Sequence, residues 1–233
     1  NPALIVIDEA HCISAWGHDF RPEYLRLGGM IAQLGHPPVL ALTATASPPV
    51  RKEIVERLGM REASIMVQGF DRPNIYLAVE GFSDADEKQA ALIERVITAP
   101  KPGIVYAATR KHTEELAASL SARQVTAVAY HAGMPAGARE CTQEAFMTGA
   151  AEVIVATTAF GMGVDKPDVR FVYHLDISAS LDAYYQEIGR AGRDGDPAEA
   201  MLFSYPDDLN LQRFLAGSGH VDADQIAQVV AEV

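Results

Sequence analysis

Short runs dense in Val, Ile and Ala recur along the chain, with amphipathic stretches between them. "ALIVI" (3–7), "PVLALT" (38–43), "GIVYA" (103–107), "TAVAY" (126–130), "EVIVAT" (152–157), "VRFVYHL" (169–175) and "EAMLFS" (199–204) read as strands. They lack a polar residue at every second position, so both faces of each are expected to be buried. Helix patterns fall between them, as in "PEYLRLGGMIAQL" (22–34), "SPPVRKEIVERLG" (47–59), "RKHTEELAASLSA" (110–122) and "SLDAYYQEIGRA" (180–191). Ser47 is placed as the N-cap of the second, with prolines in its first turn. Strands alternating with helices predict the α/β class, a parallel sheet covered by helices on both faces.

The alternation breaks around "QGFDRPNIYLAVEGFSDADEKQ" (68–89), where Gly, Pro and Asn cluster, and then starts afresh. A domain boundary is therefore expected near Asn74. Residues 1–73 supply few strands and read as the end of one domain. Residues 74–205 read as a full α/β domain, and 206–233 as a helical tail around a Gly-Ser-Gly turn. The chain opens on Asn1 and Pro2 without Met, which suggests a piece of a longer protein.

With 48% apolar and 21% charged residues the composition is that of a globular protein. No apolar run has the length of a membrane span. Two cysteines, Cys12 and Cys141, form neither a disulfide framework nor a repeated metal knuckle, which favours a reducing cytoplasm. The net charge of −12 argues against nucleic-acid binding over the whole surface, but not against a local basic track.

The chemistry-bearing residues lie at strand ends, where α/β folds bind ligands. Asp8 and Glu9 end the first run: an Asp there can hold the Mg²⁺ of a nucleoside triphosphate, and a neighbouring Glu can orient or deprotonate the attacking water. Thr43 and Thr45 of "ALTATA" end the next, with hydroxyls placed to bond across to the acidic motif. In "YYQEIGRAGRDG" (184–195), Arg190 and Arg193 are three apart and would share one face of a helix, while Gly189 and Gly192 admit a close neighbour. Two such arginines aimed at a triphosphate have the geometry of arginine fingers. Thr157 and Thr158, followed by a Gly-rich turn, offer hydroxyls and N–H groups to a phosphate backbone, and Asp165 a partner for a ribose hydroxyl. Phe160 and Met162 are assigned to the core.

Taken together these blocks resemble superfamily 2 helicases and, within them, the RecQ family of DNA helicases. "DEAH" (8–11) looks like motif II, "TAT" (43–45) like motif III and "IVYAATRKHTEEL" (104–116) like motif IV. "ATTAFGMGVDKPDVRFVYHLD" (156–176) looks like motif V and "QEIGRAGRDG" (186–195) like motif VI. The stretch "HCISAWGHDFRPEY" (11–24) has the form of the family's aromatic loop, which couples contact with single-stranded DNA to ATP hydrolysis. A base stacked on such a ring gains about 1–3 kcal/mol whatever its identity.

The resemblance implies RecA-like domains, ATP with Mg²⁺ between them, and 3′–5′ translocation on single-stranded DNA that unwinds branched or tailed duplexes in repair and recombination. It implies that Asp8 binds Mg²⁺, Glu9 activates water, and His11 and Gln186 link the γ-phosphate site to the other motifs. Arg190 and Arg193 would contact the phosphates, with Thr43 and Thr45 as coupling residues. Trp16, His18, Phe20 and Arg21, with Arg110, Thr157, Thr158 and His131, would contact DNA.

Two departures qualify this. No G-x-x-x-x-G-K-[ST] loop occurs, so the chain as given is expected neither to bind ATP tightly nor to unwind DNA. Residues 206–233 contain no cysteine, so the zinc module that follows the helicase domains in many RecQ proteins is not expected within them. His11, Cys12 and His18 do not have zinc-ligand spacing. Two alternatives stay open: a non-catalytic nucleic-acid-binding module, and an RNA helicase of the wider superfamily.

Overall fold

A computed structural model of the chain describes residues 2–14, 20–67, 69, 71–161 and 164–210. The chain divides into two compact units, Asn1–Asp71 and Arg72–Val233.

In the first unit, β1 (Ile5–Ile7) pairs in parallel with β2 (Val39–Ala41), Ile5 opposite Val39 and Ile7 opposite Ala41. Between them lie two 3₁₀ turns, Ala10–Ile13 and Pro22–Arg26, the second running into α1 (Leu27–Gln33). Helix α2 (Pro48–Arg57) follows β2. Ile7, Ala10, Ile13, Ile31, Val50, Ile54 and Leu58 form one core on a single side of the strand pair. Val6 and Leu40 point the other way and are 54% and 46% exposed. Ser47 does occupy the N-cap of α2, but its hydroxyl oxygen accepts no capping bond, and the N2 residue, Pro49, has no N–H to donate one.

The second unit holds a six-stranded sheet, parallel throughout, in the order β3-β8-β7-β4-β6-β5. Its strands are β3 (Ile75–Gly81), β4 (Gly103–Tyr106), β5 (Ala127–Tyr130), β6 (Val153–Ala156), β7 (Phe171–His174) and β8 (Ala198–Ser204). The helices are α3 (Ala85–Thr98), α4 (Arg110–Ser121), α5 (Ala136–Met147) and α6 (Leu181–Ile188). Val105, Val153, Val155, Tyr173 and Phe203 pack under α3 and α4. Ile104, Tyr106, Ile154, Val172 and Ala200 face the opposite way and pack with Phe146 of α5 and Ile188 of α6. Successive strand residues thus fill two cores, which is why the central strands carry no polar alternation.

β3 falls inside the stretch read from sequence as a break. Among the described residues it is an edge strand bonded only to β8, and Tyr76, Leu77 and Val79 are each more than half exposed although Ile75 to Val79 is an unbroken apolar run. The tail expected beyond Asn210 lies outside the described residues.

Candidate nucleotide and nucleic-acid sites

Parallel pairing of β1 with β2 carries Asp8 and Thr43 to the same carboxyl edge. Two backbone bonds prolong the pairing past the strands, Leu42 N to Ile7 O at 2.8 Å and Ala10 N to Leu42 O at 2.9 Å. Asp8 is exposed, and its Oδ1 accepts the Glu9 N–H at 2.9 Å. Glu9 adopts a left-handed backbone conformation (φ 48°), which ends the strand abruptly and opens the 3₁₀ turn carrying His11. Asp8 presents a solvent-facing carboxylate at a strand end, a donor set that fits a magnesium ion bound through water and phosphate.

His11 is 2% exposed, and its Nδ1 lies 2.9 Å from Thr43 Oγ1 and 3.3 Å from Glu9 Oε2. The Thr43 hydroxyl donates its proton to Thr45 O at 3.0 Å, so it receives the proton of His11 Nδ1. One imidazole thereby connects the acid pair at the end of β1 with the threonine at the end of β2. Thr45 differs from the expectation: its buried Oγ1 has no hydrogen-bond partner among the described residues and does not reach the acids. Phe20 is 40% exposed, and the Arg21 amide bonds to Cys12 O at 2.9 Å. Trp16 and His18, the other two positions assigned to the aromatic loop, lie outside the described residues.

In the second unit, Tyr106 and Tyr130 both stand level with Ala156, so the chain leaves β4, β6 and β5 at one height along the carboxyl edge. Arg110, Thr157, Thr158 and His131 all follow these three adjacent strands. Thr157 N donates to Tyr130 O at 3.1 Å, and the Thr157 hydroxyl accepts from Ala159 N at 3.4 Å. Arg110 opens α4, where Thr109 caps by accepting from His112 N at 3.1 Å. The Arg110 guanidinium lies on Gly133: a Cβ there would meet Arg110 Nη1 at 2.7 Å. His131 is 6% exposed and bonds through Nε2 to Glu114 Oε1 at 2.9 Å. Met162 lies outside the described residues, and Phe160 is in the core.

Arg190 and Arg193 are not on a helical face. α6 ends at Ile188 with Gly189 as C-cap, and both arginines lie in the turns beyond it, where Gly192 takes a positive φ of 52°. A Cβ on Gly192 would come within 2.6 Å of Asn74 Nδ2 and 2.8 Å of Asp196 O, so the turn beyond the helix leaves no room for a side chain there. Arg190 Nη1 donates to Gly161 O at 2.6 Å. Arg193 Nη1 donates to Asp165 Oδ1 at 2.9 Å, which pairs two residues that the sequence assigned to separate tasks. Gln186, on α6, is half-buried.

Sequence reasoning missed a buried ionic cluster beside this edge. Lys88 Nζ of α3 donates to Asp208 Oδ1 at 2.6 Å and to Leu175 O at 2.7 Å, with Asp176 Oδ1 at 3.9 Å. Asp176 Oδ2 accepts from Ala108 N at 2.7 Å and lies 3.3 Å from His112 Nδ1. The bond to Asp176 raises the His112 pKa, outweighing partial burial. Burial alone would raise that of Asp176, but bonds from His112 and Ala108 and the charge of Lys88 hold it below the ordinary carboxylate value. No local pattern could have signalled a pair whose members are 120 residues apart.

The class of protein follows from this arrangement and from its relatives. The helicase conserved C-terminal domain family matches residues 87–195, within the six-stranded unit. The fold is that of S. cerevisiae Dbp5 bound to RNA and ADP BeF3, with a TM-score of 0.70 at 18% identity, covering 98% of this chain and 62% of that one. A DEAD box protein from the hyperthermophile Methanococcus jannaschii matches with a TM-score of 0.59 at 20% identity, covering 94% of this chain and 58% of that one. The architecture is therefore that of RecA-like helicase domains.

Sequence identity narrows the class to one family. The chain is 45% identical over 229 residues to a probable ATP-dependent DNA helicase, RecS, of Bacillus subtilis (strain 168), covering 98% of this chain and 46% of that protein. It is 47% identical over 207 residues to the ATP-dependent DNA helicase RecQ of Pasteurella multocida (strain Pm70), covering 88% of this chain and 32% of the relative. The chain belongs to the RecQ family of helicases and spans less than half the length of these curated relatives.

Proposed function

We propose that this chain is part of an ATP-dependent DNA helicase that couples ATP hydrolysis to 3′–5′ translocation on single-stranded DNA and to unwinding of tailed or branched duplexes. The observation that carries the reading is the bond from His11 to Thr43, which ties the acid pair of the DEAH segment to the following strand end. In this reading Asp8 holds magnesium through its exposed carboxylate, and Glu9 takes the proton of the attacking water. Bound with ATP at Asp8, magnesium would supply positive charge to offset that of the phosphates. Arg190 and Arg193 neutralise charge developing on the γ-phosphate, with Gln186 and His11 relaying nucleotide state, Thr43 and Thr45 coupling it to the DNA contacts, and Asp165 as the ribose partner. Arg193 must then exchange Asp165 for phosphate.

Single-stranded DNA follows the carboxyl edge through Arg110, Thr157, Thr158 and His131, and stacks on Trp16 and Phe20 with His18 and Arg21 beside them. The 233 residues contain no G-x-x-x-x-G-K-[ST], so these residues alone are proposed to be inactive. The setting is a cytoplasm or nucleoid. Among the described residues no helix is long and apolar enough to cross a membrane.

The test is ATP turnover by the full-length gene product with single-stranded DNA or RNA as stimulator. Stimulation by DNA and not RNA is expected; equal stimulation by RNA would refute the DNA assignment. Trp16→Ala is expected to abolish DNA-stimulated turnover while DNA binding largely survives, and equal loss of both would remove the coupling role.

A further inference from the structure

The second unit buries a histidine and a glutamate that no step above employs. His174, the last residue of β7, is 0% exposed, and its Nε2 lies 2.8 Å from Oε2 of the buried Glu187. Ser178 Oγ donates to the same oxygen at 2.6 Å. With Nε2 donating to that oxygen, Nδ1 is left buried without a partner among the described residues. Removing such polar groups from water is unfavourable, and an apolar pair of similar size would join β7 to α6 without that penalty. Packing alone therefore does not account for these residue types.

The pair belongs to a closed circuit of contacts. Glu187 O accepts the Arg190 amide at 3.2 Å, and Arg190 Nη1 donates to Gly161 O at 2.6 Å. One residue earlier, Phe160 O accepts the Tyr106 hydroxyl at 3.0 Å. The Tyr106 ring stacks on His174 with centroids 5.3 Å apart, and His174 returns to Glu187. Arg190 lies past the end of α6, between Gly189 and the left-handed Gly192. Its place therefore depends on how the last turn of α6 is held, and Glu187 ties that turn to β7 by a hydrogen bond, beside the packing of Ile188.

We infer that His174 and Glu187 are positioning residues for Arg190, holding its guanidinium at the height above the sheet that phosphate contact requires. This rests on the helicase reading of Arg190. Misplacing a reacting group by about 1 Å costs on the order of 10²-fold in rate, so Glu187→Ala is expected to lower ATP turnover by about that factor.

The test is DNA-stimulated ATP hydrolysis by the full-length gene product. With Glu187→Ala, kcat should fall while KM for ATP and affinity for single-stranded DNA stay within about twofold, since an interaction made only in the transition state is lost. Glu187→Gln, which keeps the shape and an acceptor oxygen, should restore most of the rate. The double variant Glu187→Ala/Arg190→Ala should be no slower than Arg190→Ala alone, because residues acting as a unit are not additive. Multiplying losses in the double variant would overturn the inference, as would near-normal turnover by Glu187→Ala beside an inactive Arg190→Ala. Full turnover by Arg190→Ala would overturn both this inference and the helicase reading of that arginine. Should Glu187→Ala not fold, Ser178→Ala removes one of the two bonds to Oε2, and unchanged kcat there would refute the role.

Discussion

Replacing Lys88 by Met should destabilise the six-stranded unit by about 3–5 kcal/mol. Lys88 is 4% exposed, and its ammonium makes two close bonds, to Asp208 and to the Leu175 carbonyl. Hydrogen bonds involving a charged group contribute about 1.5–3 kcal/mol each. Breaking a buried ion pair from one side costs about 3–5 kcal/mol, because the other charge is left in a poor solvent. Two such bonds sum to about 3–6 kcal/mol, so the two routes overlap at about 3–5 kcal/mol. Among the described residues the Asp208 carboxylate, 5% exposed, would keep the Tyr205 amide at 2.8 Å as its one hydrogen-bond donor. For a chain of this size each kcal/mol moves the midpoint by about 2–4 °C, so the transition of this unit should fall by roughly 6–20 °C in calorimetry. Asp208→Asn removes the stranded charge yet keeps an acceptor for Tyr205, so the double variant Lys88→Met/Asp208→Asn should recover much of the loss. A single-variant loss below about 1 kcal/mol, or a double variant worse than Lys88→Met, would refute the reasoning.

Other perturbations test other parts of the structure. The raised His112 pKa means that its bond to Asp176 stabilises the fold fully below the ordinary histidine value of about 6.5 and is lost as pH rises through the folded value. The depressed Asp176 contributes oppositely: its stabilisation is present above about pH 3.9 and is lost as pH falls through the folded value. Urea midpoints should thus decline as pH rises above about 6.5, and His112→Gln should flatten that limb; an unchanged limb would remove His112 as its cause. Gly103→Ala places a Cβ 2.0 Å from the Phe171 ring and should destabilise the second unit by at least about 1–3 kcal/mol, read as a lower urea midpoint. Thr43→Val takes away the hydroxyl bonded to the buried His11 Nδ1 and should lower the stability of the first unit by about 1–3 kcal/mol, with no change if the bond is absent in solution.

How much of this was legible in the chain depended on whether its signal is local. β4, β6 and β7 are buried on both faces, so each appears as an unbroken apolar run. β3 also carries an apolar run, Ile75 to Val79, but that run directly follows a Pro-Asn pair and lies in a stretch whose Gly, Pro and Asn read as a break, which masked it. The motif residues stood out because strand ends in a parallel sheet share one edge, so Asp8, Thr43, Arg110 and Thr157 each follow an apolar run directly. Arg190 and Arg193 were recognised by type and spacing but assigned to a helix. That helix ends at Ile188, and both arginines lie in the turns that follow, where Gly192 has a positive φ and packs closely on Asn74 and Asp196.

The sequence by itself determined the fold class, the family and the residue types at each strand end, because burial periodicity and short-range spacing are written within a dozen residues. Only the tertiary structure decided the strand order β3-β8-β7-β4-β6-β5, the pairing of Lys88 with Asp208 and the circuit from Tyr106 through His174 and Glu187 to Arg190. These join groups up to 120 residues apart. Their energies come from mutual desolvation and distance, and neither exists until the sheet has brought the groups together.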